Sequence, residues 1–473
     1  MLLALAGLVF VLSGAVAKAG VSISEGYIII NGGPQAGDYY YELKDNGGTN
    51  STFGSINILK NLLASPSLTL KGGEVKTTVD NGDYQNSSNT MNLNYRVYLN
   101  GGTPGSYTAL RLDNMTDTSH PSYQYDKTSQ NTSLISGLSS GLYKIDAYLS
   151  GNGSWWNGSQ QYYALGDTAT STASVELYYG ASATASQVSG FSGSGKFVMD
   201  GNGNTYTLTQ SNSGWTGASY VDRGTLAIAS GAGVGTGSVF LGLDGQSSTA
   251  TLAISDSDGG SSVSNDVVVR TGGGVRTLTS DNTSGANTLS GNVYLDGNVS
   301  LSSSAGGRLI LSGRLDDGLG SGNYAATITA GSIEFSGNSS NANTTSYTVR
   351  GGELRMNKSG ADAVQSTLSI SSGATATLVA ADQLGSGAVV NNSGTLATGN
   401  NNDTFATLNS SGNITGSGTL TASTYNISGG TISANLGTGT LNVTGDATLN
   451  GSSSATTVAV TGAGTDLTLG AGA

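Results

Sequence analysis

Four aromatic residues offer the clearest chemistry in this sequence: Trp155-Trp156 and Tyr162-Tyr163, set in a Gly/Asn/Ser-rich loop. Exposed flat rings stack on the apolar faces of sugars, so this group suits a carbohydrate-binding surface. The competing reading is structural: one Trp fills a sandwich core and the other covers a sheet edge. Other reactive groups are few. His120, the single histidine, stands beside Pro121 in a polar loop of a chain without cysteine. Acids of the later chain gather only as Asp256-Ser257-Asp258 and Asp316-Asp317, both near glycine and both read as solvated turns rather than halves of a metal site. Asp200-Gly201-Asn202-Gly203-Asn204 begins as a calcium loop would. However, Thr205 holds the sixth position and Ser211 the twelfth, where such a loop needs Gly and Glu, so a hairpin turn is expected. A Ser-His-Asp triad is impossible beyond His120, and no catalytic residue, metal site or cofactor is assigned.

Composition narrows the classes further. Of 473 residues 74 are Gly, only 4 are Pro and none is Cys, which excludes disulfide scaffolds and collagen. Charged residues make up 10%, and 18 Lys+Arg against 30 Asp+Glu leave a net charge of −12. Sparse, net negative charge argues against a nucleic-acid partner, which requires clustered cations. Gly, Ser, Thr and Asn fill the composition and favour short strands and tight turns over helices.

The elements that must carry these residues begin after a targeting segment. Leu2 to Leu12 are almost wholly apolar and small residues follow, so residues 1–19 read as a signal peptide cleaved after Ala17 or Ala19. A basic n-region is missing, since Leu2 follows Met1 directly. The apolar run is shorter than the ~20 residues a spanning helix needs, so export is expected. Residues 20–180 hold 16 of the 22 Tyr and all 4 Pro, whereas residues 181–473 are dominated by Gly, Ser, Thr, Asn, Ala and Leu.

In the first region, Leu93, Tyr95, Val97 and Leu99 alternate with Asn94, Arg96 and Tyr98, and Tyr143, Ile145 and Ala147 alternate with Lys144, Asp146 and Tyr148. Gly-Gly and Asn-Gly steps separate such runs. This is the pattern of half-buried antiparallel strands, and a β-sandwich is expected. In the second region a G-x-L phrase recurs at Gly224-Thr225-Leu226, Gly307-Arg308-Leu309, Gly352-Glu353-Leu354, Gly394-Thr395-Leu396, Gly418-Thr419-Leu420 and Gly439-Thr440-Leu441. Short alternating strands lie between the copies. One such unit cannot bury its apolar face, but coiled copies can stack into a continuous narrow core. The expected fold class is therefore all-β: an N-terminal sandwich followed by a right-handed parallel β-helix of about a dozen rungs.

Several of these stretches resemble the autotransporter-associated β-strand repeat. They are Tyr206-Thr207-Leu208-Thr209, Asn212-Ser213-Gly214-Trp215-Thr216-Gly217 and Val221-Asp222-Arg223-Gly224-Thr225-Leu226, with a second copy at Tyr347 to Met356 and related phrases from Ala380 to Thr421. Trp215 stands where the repeat has Tyr, and Asp222-Arg223 replace small residues. The resemblance implies an exported, non-enzymatic passenger at the cell surface, in the outer membrane or extracellular, with a structural or adhesive task. Its partners would be surface glycans or extracellular matrix, and it would reach the outer membrane only through a translocator not seen in this chain. The chain stops at Gly470-Ala471-Gly472-Ala473 inside a repeat with no barrel, so a fragment is expected. Two alternatives accompany this reading: a carbohydrate-binding module on a repeat stalk, and a β-helix polysaccharide lyase or hydrolase.

Overall fold

Alternating side chains produce strands throughout, and no α-helix occurs among the described residues. The structure is a computed structural model describing residues 22–31, 38–44, 53, 56–61, 68–78, 83–85, 90–117, 122–138, 141–152, 154–157, 160–163, 168, 170–178, 184–186, 190, 196–318, 322–342 and 344–473. The signal segment 1–19, with cleavage positions Ala17 and Ala19, lies outside the described residues, as does His120.

Sixteen strands lead into the solenoid: β1 Ser22–Asn31, β2 Asp38–Lys44, β3 Ile56–Asn61, β4 Thr69–Thr78, β5 Asp83–Gln85, β6 Thr90–Leu99, β7 Thr108–Leu112, β8 Asn114–Asp117, β9 Ser122–Lys127, β10 Thr132–Ser133, β11 Gly141–Asn152, β12 Ser154–Asn157, β13 Gln160–Tyr163, β14 Ser171–Tyr178, β15 Thr184–Ser186 and β16 Lys196–Leu208. One antiparallel sheet runs β2-β1-β4-β9-β8, with β10 also on β4. A second runs β7-β6-β11-β14, also antiparallel. Ile28, Ile30, Leu70, Val75 and Tyr125 from the first sheet share one core with Met91, Leu93, Ile145, Leu149 and Val175 from the second. Alternation predicts this inward set, and burying it between two sheets is what makes a sandwich.

Strand β3 continues the second sheet. It pairs in parallel with β14 on one side, Val175 opposite Ile58, and with β16 on the other, Val198 opposite Ile58. The first coil of the solenoid therefore has its backbone groups met by a strand from the N-terminal region. Along Lys196–Asp200 this edge is therefore paired rather than open.

From β16 onward the chain winds into a parallel β-solenoid of about 13 turns. Three faces carry the strands. The first includes Val239–Leu241, Val267–Val269 and Val293–Leu295. The second includes Ala250–Ser255, Arg276–Ser280 and Thr440–Val443. The third runs from Ser262–Val263 to Leu467–Leu469. On the second face Leu226, Leu252, Leu278 and Leu301 stack in register and are all buried. The outward neighbours of those leucines, Thr225, Thr251, Thr277 and Ser300, form a parallel polar column. At ~4.8 Å per rung the rod is roughly 60 Å long.

Turn length is not constant. Leu226, Leu252 and Leu278 are 26 residues apart, whereas Leu408, Tyr425 and Leu441 are 17 and 16 apart. The turns shorten toward the C-terminal end, and second-face strands shorten with them, from Ala250–Ser255 to Thr440–Val443.

Glycine makes the tight corner between the second and third faces. Gly430 has φ +87°, and a Cβ there would lie 2.1 Å from the carbonyl oxygen of Gly412 in the rung below. Gly352 repeats this with φ +70° and 2.1 Å to the Gly331 carbonyl. At these two positions the positive φ and the close carbonyl favour a residue without Cβ, whereas Ala374 and Ala447 hold the same corner in other rungs. Residues 200–204 form another corner. Asp200 pairs in register with Arg223 and Thr205 with Thr225, both in parallel, with the register broken between them. The expected hairpin is therefore a bend inside one continuous rung. Its Asn204 Nδ2 donates to the Gly201 carbonyl at 3.0 Å, and Gly203 has φ +93°.

Candidate functional site

Trp155-Trp156 and Tyr162-Tyr163 lie on paired strands rather than in a loop. Strand β12 pairs antiparallel with β13, so Trp155 is opposite Tyr162 and Ser154 opposite Tyr163. On its other edge β5 places Tyr84 opposite Trp156 and Gln85 opposite Trp155. Aromatic residues fit a pleated strand well, which explains why a Gly/Asn-flanked segment becomes a small sheet. The backbone register thus assembles all four predicted residues within one three-stranded sheet, with Tyr84 added.

A second aromatic group, not foreseen, lies on the outward face of the second sandwich sheet. Arg96 on β6 donates from Nε at 2.9 Å and Nη2 at 2.7 Å to Oδ2 of Asp146 on β11. The guanidinium also sits 4.1 Å from the Tyr107 ring centroid, and Tyr107 meets Tyr148 edge-on at 4.8 Å. Asp146 is buried, and Thr172 donates to its Oδ1 at 2.6 Å while Tyr98 donates at 3.3 Å. The Asp146 hydrogen bond raises the Arg96 pKa above its ordinary value. Four donated hydrogen bonds thus meet the two carboxylate oxygens of Asp146 and hold Arg96 against the rings. Period-two alternation places Arg96, Tyr98, Asp146 and Tyr148 outward. The pairing of Arg96 with Asp146 depends on the β6–β11 register, which no local signal reveals.

The acids of the solenoid are engaged by neighbouring side chains, and Glu334 and Glu353 share Arg355 across rungs. Asp256 accepts from Ser261 at 2.6 Å and closes its turn through Gly259 N. Asp316 pairs with Arg314 at 3.1 Å, and Asp317 accepts from Thr344 of the next rung at 2.5 Å. The latter pair is half-buried and tied across rungs, not simply solvated as expected. Burial raises the Asp316 pKa, while the Thr344 hydrogen bond lowers that of Asp317. Asp200 pairs with Arg223 at 2.5 Å. Among the described residues no three His, Cys, Asp or Glu gather as a metal-binding group. Trp215 is 1% exposed and supports the turn that Asn212 closes, a structural role.

Sequence reasoning missed the buried charges. Where first-face strands lapse, polar side chains take over their hydrogen bonds. Asn341 Oδ1 accepts from Leu315 N at 2.9 Å, and its Nδ2 donates to the Ala363 carbonyl at 2.8 Å. Gln383 Oε1 accepts from Lys358 N at 2.7 Å, and Gln383 N donates to Asp403 Oδ2 at 2.8 Å. Lys358 itself is 1% exposed, with Nζ donating to the carbonyls of Ser336 at 2.9 Å and Gly313 at 3.3 Å. Burial lowers its pKa to about 8. Burial likewise raises the Asp403 pKa to about 7, against the pull of three backbone amides.

Near the C-terminal end the polar column on the second face becomes an amide ladder. Asn409 donates to Asn391 at 2.8 Å, Asn426 to Asn409 at 2.8 Å and Asn442 to Asn426 at 2.9 Å. Asn409 and Asn426 each both donate and accept, so the column reinforces the backbone pairing beneath it. No family model, curated protein or solved structure matches this chain.

Proposed function

We propose that this chain is an exported, non-enzymatic passenger-like protein whose solenoid serves as a stiff stalk for surface display or adhesion. The observation that carries this reading is the about 13-turn parallel solenoid, in which each rung meets the amides of the next. Such a rod offers long polar faces for many weak contacts. Its G-x-L corners carry the resemblance to autotransporter-associated repeats, which belong to exported passengers. The sandwich ahead of it is suited to be the presented head. Antibody labelling of intact producing cells, with and without external protease, tests this. Surface signal lost on protease treatment is expected, and signal seen only after lysis would overturn the reading.

A carbohydrate-binding head is the second reading. It is favoured by the register that sets Trp155 opposite Tyr162 and Trp156 opposite Tyr84. A glycan array on the full chain, with Trp155→Ala and Trp156→Ala for comparison, separates it from a purely structural sheet.

A further inference from the structure

A groove of about 480 Å³ runs along the edge of the second face, over four successive rungs from residues 272–276 to Arg350. Its polar walls are Arg276, Asn298, Ser300, Thr327, Thr329 and Arg350, with residues 272–274 contributing three glycines. None of the lining residues is acidic, in a chain whose net charge is −12.

The two arginines differ. Arg276 is 1% exposed and is fixed by carbonyl oxygens alone, including Ser248, Leu243 at 3.1 Å and Gln246 at 3.3 Å. Among the described residues it has no carboxylate within ion-pair distance. The nearby Asp244 pairs with Arg270 instead. Its charge therefore lies buried behind the groove wall without an ion pair among the described residues, with Asp244 and Asp222 acting on it only at longer range. Arg350 is exposed on the far side and makes no ion pair among the described residues. Between them lie hydroxyls at rung spacing: Ser300 is in register with Thr327, and its Oγ lies 3.4 Å from Thr329 Oγ1. Asn298 Oδ1 accepts from Ala325 N at 2.9 Å, leaving its amide donors unused among the described residues.

A cation at each end, with a row of hydroxyls and an amide between them, matches a ligand that is both anionic and rich in hydroxyls. Screening limits charge effects to ~8 Å in physiological salt, so the local cations govern and the distant net negative charge does not. No aromatic ring lines the groove, and nucleic-acid strands need such rings to stack their bases. We propose that this groove binds an acidic polysaccharide. A carboxylate or sulfate seats against Arg350 in the field of Arg276, and sugar hydroxyls bond to Ser300, Thr327, Thr329 and Asn298. This site is separate from the aromatic sheet of β12 and β13 and does not depend on how the chain is exported.

Isothermal titration of the full chain with oligogalacturonate, dextran sulfate oligosaccharide, neutral maltodextrin and a single-stranded oligonucleotide tests this. The first two distinguish carboxylate from sulfate as the source of charge. Binding to at least one of them is expected, weakening with added salt. Arg350→Gln should weaken it about tenfold, the scale of one lost charge-assisted contact. Thr327→Val with Thr329→Val should weaken it several-fold, and Arg314→Gln, outside the groove, should leave it unchanged. Circular dichroism confirms that each variant keeps the wild-type fold. The proposal is overturned if neither acidic saccharide binds, if Arg350→Gln binds as wild type, or if maltodextrin or the oligonucleotide binds as tightly.

Discussion

Replacing Lys358 by Met should change how stability depends on alkaline pH. Lys358 is buried with Nζ on the Ser336 and Gly313 carbonyls and no ion pair among the described residues. Burial takes its pKa from an ordinary 10.5 to about 8. Below pH 8 both the folded and unfolded chains carry the proton, and the cost of the buried charge is present in full. Between pH 8 and 10.5 the unfolded chain still holds a proton that the folded chain has shed, so stability rises with pH. The whole rise is about 3 kcal/mol. Lys358→Met abolishes this proton linkage. It also leaves two carbonyls without their donor, but that cost does not depend on pH. Urea unfolding of both proteins from pH 7 to pH 10.5, followed by far-ultraviolet circular dichroism, gives the difference directly. The variant should lose about 3 kcal/mol relative to wild type across that range. Parallel stability curves, or a Lys358 ε-carbon resonance titrating near 10.5, would refute the reasoning.

Asp403 gives the opposite slope on the acid side. Its folded pKa of about 7 exceeds the ordinary 3.8, so its contribution is full below pH 3.8 and is lost as pH rises through 7. Relative to Asp403→Asn, wild type should lose about 4 kcal/mol over that interval in the same assay, and equal slopes would count against it. Gly430→Ala should cost at least ~2 kcal/mol, because a left-handed backbone is strained for Ala and the Gly412 carbonyl cannot yield. Gly464→Ala, with φ +78° but no atom within 4 Å, should cost less than Gly430→Ala in thermal melts. Asn426→Ala breaks two rungs of the amide ladder and should destabilise the C-terminal coils by about 1–2 kcal/mol, visible as faster amide exchange at residues 407–410 and 440–443.

Much of the fold can be read from alternation alone. The inward column Leu226, Leu252, Leu278 and the outward column Thr225, Thr251, Thr277 are both plain in the sequence. The period is not, and the structure explains why. Gly224-Thr225-Leu226 begins a second-face strand, Gly307-Arg308-Leu309 a third-face strand and Gly418-Thr419-Leu420 a first-face strand. The G-x-L phrase therefore marks any corner, with glycine at the bend and leucine inward, and its irregular spacing mixes positions from different faces. Strand β3 escapes notice because its two parallel partners lie more than 100 residues away. Lys358 and Asp403 escape because charged residues are normally exposed, and nothing near them in sequence signals the gap in the first face that they fill. The aromatic pairs Trp155-Trp156 and Tyr162-Tyr163 are visible as composition, but Tyr84 joins them only through the β5–β12 register.

The central claim, that successive coils stack in register along one axis, is tested most directly by distances along the second face. Thr251, Thr327, Asn391 and Asn442 occupy the same outward column, with Thr327, Asn391 and Asn442 lying three, six and nine rungs beyond Thr251. The chain has no native Cys, so paired Cys substitutions can carry nitroxide labels at these positions without interference. Pulsed electron spin resonance should give separations rising linearly, near 14, 29 and 43 Å at ~4.8 Å per rung. Distances that scatter, or that fail to grow with rung number, would contradict the solenoid and everything built on it.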